Sequence, residues 1–440
     1  MKILSLKASG VFGRFSYDLN FNDDLSLITG SNGSGKTTAL KLLASLLTPD
    51  FDWLFTAIVE KAVVEIVNNN KRVKITFQND GINDVHLTYS GEKTKDALFK
   101  LSQDDVGDFL NPRKFHGRVL RDSTYSHVVV EKISSLPTPM YLSLERKNVL
   151  DWNKLESQQR EEYLRQGNRG SKQEKGIAVN VDKAVRLVND SVRKMEIANQ
   201  ILTDQLSRDL LLTPYLAKSK KTKSLEQQIE LIKELLSIQD NIIDAYTLLG
   251  VKSEKLKASA GKFFRELKKQ DLTAPDKLDE NSDDISIQKL VELMSLAPVI
   301  NILQEHSKLV HNYQKESQIV YRERSAFLHA LNLFFSSSEL AASFDNGYLE
   351  FRAGNENDIN PHHLSSGEKQ IFMLLSHLMF NQQGAESSII VIDEPELSLH
   401  IGWQEIFCDS ILEVRPDLQA IFATHSPSII GNKVEKCLTL

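Results

Sequence analysis

The sequence predicts an α/β head assembled from both ends of the chain and interrupted by an α-helical, partly coiled-coil domain. A glycine-rich loop beginning at Gly30 follows an apolar strand, a second apolar strand ends in Asp393 and Glu394, and heptad-spaced apolar residues occupy the stretch between them. The first two patterns need a common sheet, because each supplies half of a phosphate-handling site. The third needs helices, since apolar residues at alternating spacings of four and three form a seam along one helical face. The predicted boundaries are residues 1–150 for the N-terminal part of the head, 151–335 for the insertion and 336–440 for the C-terminal part. With 440 residues, 41% hydrophobic and 25% charged, the chain has material for two or three cores and no compositional mark of disorder.

Composition then removes several function classes. The 53 Lys and Arg against 59 Asp and Glu give a net charge of −6, which argues against coating of nucleic acid by bulk positive charge and leaves a local basic patch open. Only Cys408 and Cys437 are present, so there is neither a disulfide framework nor a zinc-ligand set, and both thiols read as small buried hydrophobes. Polar residues run through the N-terminal MKILSLKASGVFGRF, and no stretch approaches the roughly 18 apolar residues of a membrane span. The expectation is a cytoplasmic protein with no membrane partner.

Ile3–Leu6, Phe15–Phe21 and Leu25–Thr29 read as short strands. The third leads into Gly30-Ser31-Asn32-Gly33-Ser34-Gly35-Lys36-Thr37, and Thr38-Ala39-Leu40 then opens a helical pattern. This is G-x-x-x-x-G-K-[ST] between a strand and a helix, the context the motif requires. Its glycines let the backbone curl until the N–H groups from Gly30 to Thr38 face phosphate oxygens, with the helix presenting its positive end. Lys36 is placed to bridge β- and γ-phosphates and Thr37 to give its hydroxyl to Mg²⁺. Further on, Ala62–Val67, Val73–Phe77 and Val85–Tyr89 alternate around Asn- and Gly-bearing turns and predict an antiparallel hairpin or meander.

A Lys-Thr loop needs a carboxylate on its far side, and Ser388-Ile389-Ile390-Val391-Ile392-Asp393-Glu394 reads as a central parallel strand that supplies it. Asp393 is expected to hold Mg²⁺ through its water shell, and Glu394 to polarise the attacking water. Upstream stands Leu364-Ser365-Ser366-Gly367-Glu368-Lys369-Gln370, opening a helix from Ile371 to Phe380. Downstream are Pro395-Glu396-Leu397-Ser398-Leu399-His400, then Trp403-Gln404, and the strand Ala420-Ile421-Phe422-Ala423 that ends in Thr424-His425-Ser426-Pro427.

In these segments the chain resembles ATP-binding-cassette (ABC) ATPases of the OLD, RecF and SMC class. The LSSGE loop is similar to their LSGGQ signature in the variant usual in the OLD-like branch. The resemblance implies an ABC-type P-loop ATPase head with ATP and Mg²⁺ as its ligands. It assigns Ser365, Ser366, Gly367 and Glu368 to the γ-phosphate of a neighbouring subunit's ATP, Pro395–His400 to the D-loop, and His425 to the switch position that senses γ-phosphate and orients water. His400 reads as a cap, and His362 and His363 as a solvated loop without metal-ligand spacing. Neither Asn432-Lys433-Val434-Glu435 nor Asn153-Lys154-Leu155-Glu156 completes a guanine-reading Asn-Lys-x-Asp motif. The family's Q-loop glutamine should end a strand near Met140–Arg146, where no glutamine stands and Glu145 is the candidate substitute.

The insertion carries two seams. Val181, Val185, Val188, Val192, Met195, Asn199, Leu202 and Leu206 form the first; Leu225, Ile229, Ile232, Leu236, Gln239, Ile243 and Tyr246 form the second. Thr213-Pro214 is expected to break the first helix, giving arms on the order of 40 Å long. Lys218–Lys223 reads as a basic connector, and Gly167–Gly176 and Leu272–Asp284 as loops. A third helical stretch, Ile285–Phe335, is expected to be broken at Pro298. After it, Ala341–Arg352 reads as a hairpin around Asn346-Gly347 that leads back to the signature loop.

The resemblance also sets expectations about assembly. A signature loop that completes a neighbour's site implies a head-to-tail homodimer or higher homo-oligomer. Because the sequence stops soon after His425 with no TOPRIM domain, the architecture resembles stand-alone ATPase subunits of bacterial antiphage systems of the PARIS or Septu type. That implies a separate TOPRIM or HNH nuclease effector, a phage protein or nucleic acid as trigger, and no nuclease activity of the chain's own. The alternative is a DNA-repair or chromosome-maintenance ATPase of RecF or SMC type that clamps DNA; a third is an ATP-binding scaffold with little hydrolysis.

Overall fold

The computed structural model describes residues 1–79, 84–91, 94–110, 121, 123–143, 172–216, 283–354, 357–380, 388–397 and 399–440, with positions 233, 236–237, 254, 258–259 and 261–265. The basic connector, nearly all of the second seam, Glu145 and Ser398 lie outside the described residues. Met1–Ser191 together with Ala326–Leu440 form one compact unit, and Val192–Ser325 form another. The division therefore falls inside the long helices, and residues 172–191 and 326–335 belong with the head rather than with the insertion.

The head begins with strands β1 (Lys2–Val11), β2 (Phe15–Asn20) and β3 (Leu25–Thr29), then helices α1 (Lys36–Leu47) and α2 (Phe51–Thr56). Next come β4 (Lys61–Asn68), β5 (Lys71–Asn79), β6 (Asp84–Gly91), β7 (Thr94–Ser102), α3 (Gln103–Phe109), α4 (Val128–Ser134) and β8 (Met140–Ser143). The long helices α5 (Lys172–Leu216) and α6 (Asp283–Phe335) follow, then β9 (Leu340–Asp345), β10 (Tyr348–Ala353) and β11 (Asn357–Ile359). The chain finishes with α7 (Ser366–Phe380), β12 (Ile389–Asp393), α8 (Ile401–Val414), β13 (Gln419–Ala423), α9 (Pro427–Ile430) and β14 (Cys437–Thr439).

Two sheets meet on one core. An antiparallel sheet in the order β2-β1-β4-β5-β6-β7 contains the expected meander, extended by β7. Asn69 and Asn70, with φ of 50° and 60°, make the β4–β5 turn, because asparagine tolerates the left-handed region that a two-residue hairpin demands. A parallel sheet in the order β14-β3-β13-β12-β8 carries the two motif-bearing strands. Every residue of β12 and β13 is buried, as befits parallel strands covered on both faces. Leu40, Leu43 and Leu46 of α1 pack into the same apolar cluster as Ile28, Val391, Ile421 and the inner faces of β1 and β4.

Gln419 joins these sheets. Fully buried at the start of β13, its side chain accepts from the Ile3 N–H at 2.7 Å and donates to the Ile3 carbonyl at 2.7 Å and the Asn22 carbonyl at 2.8 Å. An apolar replacement would strand those backbone groups at a cost of about 1–3 kcal/mol. Cys408 is buried, and burial pushes its thiol up to about 12; Cys437 in β14 is only half-buried, not the interior residue expected.

The helices depart from expectation at their prolines. α5 does not break at Pro214 but runs to Leu216, and it already includes residues 172–176 of the expected loop. With 45 residues it is about 68 Å long. A helical proline leaves the carbonyl four residues earlier without its donor. Here that carbonyl belongs to Leu210, and the buried His306 Nε2 of α6 lies 3.1 Å from it, so the histidine replaces the missing donor. Around this contact Leu206, Leu210, Val310 and Tyr313 form an apolar cluster, and Tyr313 Oη lies 3.1 Å from Thr203 Oγ1. α6 likewise continues through Pro298 for its full 53 residues.

Candidate functional site

The site forms where three parallel strands end side by side. β13 lies between β3 and β12, with Ile28, Ala423 and Asp393 level across the sheet. The residues just beyond therefore converge: the Gly30 loop from β3, Thr424-His425 from β13 and Glu394 from β12. Open parallel sheets bind ligands at this carboxyl edge.

Each loop is shaped differently. In the first, Gly30, Gly33 and Gly35 have φ of 156°, 80° and 96°. A Cβ at Gly35 would stand 2.6 Å from Tyr17 Oη and 2.9 Å from the Phe15 ring, so glycine is required there by space as well as by backbone angle. Tyr17 of β2 donates to the Gly35 carbonyl at 3.0 Å and bonds the Thr38 side chain. Burial pushes its phenol up to about 12, which keeps it a donor. After β12 the turn is made by Glu394, a non-glycine at φ 51°, whose N–H donates to the Ala423 carbonyl at 2.9 Å. Such a conformation costs on the order of 1–3 kcal/mol and persists only where surroundings impose it.

Lys36 is the centre of the arrangement. Its Nζ, buried, donates to the carbonyls of Gly30 and Ser31, both at 3.1 Å, and lies 3.4 Å from His425 Nδ1. An ammonium group has no lone pair, so Nδ1 is the acceptor and the imidazole proton sits on Nε2. Burial pulls the Lys36 pKa below its ordinary value, while the charges of Glu394, Asp393 and Glu396 oppose that shift. Asp393, the last residue of β12, is 5% exposed. Thr37 and Thr38 are half-buried in the first turn of α1. Gly33 faces open space, and Ser34 Oγ is buried with no hydrogen-bond partner among the described residues. Lysine, hydroxyls and the N-terminus of a 12-residue helix fit a polyphosphate. One hydroxyl and one carboxylate, Thr37 and Asp393, are hard oxygen donors of the kind that would hold a Mg²⁺.

Glu396 is the residue that sequence reasoning missed as a site residue. Its carboxylate accepts from Thr424 Oγ1 at 2.8 Å and from the His425 N–H at 2.7 Å, fixing the end of β13 against the turn after β12. Gln404 of α8 continues the support, accepting from Ser426 Oγ at 2.6 Å and donating to the Leu399 carbonyl at 2.9 Å. The available signal was a second acid two residues beyond Glu394.

The signature segment opens α7 and is capped by its own side chains. Ser365 N–H donates to Glu368 Oε2 at 2.7 Å and the Glu368 N–H to Ser365 Oγ at 3.4 Å, a reciprocal cap on α7. Ser366 and Gly367 are the first residues of that helix, which starts earlier than Ile371. Gln370 donates to the Leu397 carbonyl at 2.8 Å and so ties α7 to the turn after Glu394. His400 Nδ1 accepts from the Gly402 N–H and caps α8. His362 is not simply solvated: its Nε2 pairs with Asp182 of α5 at 2.8 Å.

A phosphate loop, an acid pair and a histidine at the ends of adjoining parallel strands define the class of P-loop ATPases. Residues 1–430 match the AAA ATPase domain family AAA_15, and the chain belongs to that family. It is similar to the Retron Vc95 probable ATPase of Vibrio cholerae serotype O1 biovar El Tor, with 25% identity over 130 residues. That match covers 27% of this chain and 25% of the relative, so the chain spans about a quarter of the curated relative's length. Among solved structures it is similar to the Smc head domain with an extended coiled coil bound to the C-terminal domain of ScpA from Pyrococcus furiosus, at 12% identity, 98% and 91% coverage of the two chains and a TM-score of 0.37. It is also similar to the SMC head domain from Thermotoga maritima, at 11% identity, 100% and 94% coverage and a TM-score of 0.37. Among the described residues no helix is long and apolar enough to cross a membrane.

Proposed function

We propose that this ATPase is of the ABC type and works as a switch, with two ATP molecules sandwiched between head-to-tail subunits. The observation that carries this reading is the Lys36 cluster, in which residues from the two ends of the chain surround one ammonium group. The backbone N–H groups of Gly30–Thr38 orient the triphosphate, and Lys36 leaves its own loop carbonyls to neutralise the β- and γ-phosphates. Mg²⁺, held by Thr37 and Asp393, supplies further charge neutralisation when bound. Glu394 accepts the proton of the attacking water, and His425, donating from Nε2, fixes the γ-phosphate. Ser365 and the first turn of α7 complete the site of the neighbouring subunit, and the helical unit, read as a coiled coil, responds to the nucleotide state.

In biological terms we read the chain as a cytoplasmic sensor and scaffold of an antiphage system, holding a separate TOPRIM or HNH nuclease. Likeness to the OLD-like signature and to a retron's probable ATPase supports this reading. A mixture of Lys36→Ala and Ser365→Arg proteins tests the composite site. Each variant alone should lack ATP turnover, while the mixture rebuilds one interface with both parts intact and recovers part of the activity. No recovery despite demonstrated subunit exchange overturns catalysis in trans. Tight, salt-resistant, ATP-gated DNA binding by the isolated chain would instead favour the DNA-clamp reading.

A further inference from the structure

Helix α5 is apolar on two opposite faces. Its inner face, through Leu206 and Leu210, packs against Val310 and Tyr313 of α6. On the face directed away from that seam, Ile197, Ile201, Leu211 and Tyr215 are 55–86% exposed. Between these apolar pairs stand Asp204 and Arg208, both exposed. The order Ile197, Ile201, Asp204, Arg208, Leu211, Tyr215 keeps the alternating spacings of four and three that mark a seam for another helix.

The order is also self-complementary. If a second copy of the helix runs antiparallel about a two-fold axis level with Leu206, Ile197 faces Tyr215, Ile201 faces Leu211, and Asp204 faces Arg208, on both sides of the axis. A parallel in-register pair would set Asp204 against Asp204 and Arg208 against Arg208. Like charges at a helix seam oppose association, so the charge order selects the antiparallel arrangement. A two-fold contact of this kind is closed, using the same surface on both subunits.

We propose that a second copy of this chain docks on this face of α5, making an isologous antiparallel helix pair through residues 197–215. The pair uses no residue of the nucleotide site and so forms without nucleotide. Its span is about 28 Å, roughly five helical turns, and five turns of one helix make a small interface. Association is therefore weak and reversible with concentration.

Sedimentation of the 440-residue chain in EDTA, without nucleotide, tests this directly. The wild-type protein should self-associate with rising concentration in the micromolar range. Asp204→Arg and Arg208→Asp should each weaken self-association by about 10-fold or more, because each creates like-charge contacts on both sides of the axis. An equimolar mixture of the two variants should associate as tightly as wild type, since both positions are then arginine in one subunit and aspartate in the other, and opposite charges meet on both sides of the axis. Circular dichroism checks that each variant is folded. Recovery in the mixture is a readout that a purely structural effect of either substitution does not produce. A wild-type chain that stays monomeric, or a mixture no tighter than its components, overturns the proposal and leaves the face to a different protein.

Discussion

The head and the helical unit place their chemistry by opposite means. In the head, side chains from opposite ends of the chain are positioned by strand register: once Ile28, Ala423 and Asp393 are level, Lys36, His425 and Glu394 are brought together. In the helical unit, position along a helix decides everything, and buried polar groups such as His306 answer defects in a neighbouring helix. A register-built site tolerates large insertions but no change at its strand ends. A helix-built surface tolerates change at most positions yet depends on a few faces.

The comparison breaks most sharply at Glu394. Glu394→Gln should lower ATP turnover by at least about 100-fold while nucleotide binding persists, because the general-base assistance proposed for Glu394 is lost and the phosphate loop is untouched. Turnover assays beside equilibrium nucleotide binding check this, and unchanged turnover would remove Glu394 from its role. The helical unit should keep its melting behaviour in this variant.

A smaller effect is expected at Glu396. Glu396→Gln keeps an acceptor for one of its two bonds and removes the charge that holds the Thr424 hydroxyl and the His425 N–H. Because one acceptor is kept, the loss falls at the lower end for a charge-assisted hydrogen bond, about 1.5 kcal/mol, which corresponds to a fall in kcat of roughly 10-fold. KM should move far less, since Glu396 acts through His425 rather than on the nucleotide. A change confined to KM would show that the clamp serves binding instead.

The smallest effect sharpens the helical side of the comparison. Burial pulls the His306 pKa below its ordinary 6.5, against the opposing influence of its bond to the Leu210 carbonyl. Below about pH 6.5 the unfolded chain takes up a proton that the folded one resists, so stability of this unit falls as the pH drops toward the folded pKa and is full above 6.5. Hydrogen exchange at residues 199–210 should quicken between pH 7 and pH 5 beyond the intrinsic pH effect. In His306→Gln, whose amide still donates to Leu210, that excess should be smaller. An equal excess in both proteins would place the pH response elsewhere.

What was legible in the sequence follows the same division. The strand, loop and helix around Gly30–Thr37 could be read directly because the signals stand in consecutive positions, and the strand ending in Asp393 because a continuous apolar run marks a parallel strand covered on both faces. Tyr17, Glu396 and Gln419 were not legible as supports, since their partners come from other segments, in the case of Gln419 from the far end of the chain. Pro214 misled for the same reason: the local rule ends the helix, and the compensating donor sits 96 positions from Leu210. β7 escaped notice because Thr94-Lys95-Asp96-Ala97 does not alternate. The boundaries of the insertion were drawn where the sequence pattern changes, whereas the structure divides where packing partners change.

Strand β3 has a history on the ribosome that follows from its neighbours. Both of its edges bond to strands made far later, β13 at residues 419–423 and β14 at residues 437–439. At ~5–20 residues per second, translation of the intervening stretch leaves this apolar segment without its sheet for roughly 20–80 seconds. During that interval the phosphate loop has no opposing acids and no histidine, so the nascent polypeptide carries the nucleotide motif without the means to use it. A product cut short by a damaged message before residue 419 lacks the central strand altogether. Late closure of the sheet thus delays nucleotide chemistry until translation has passed His425.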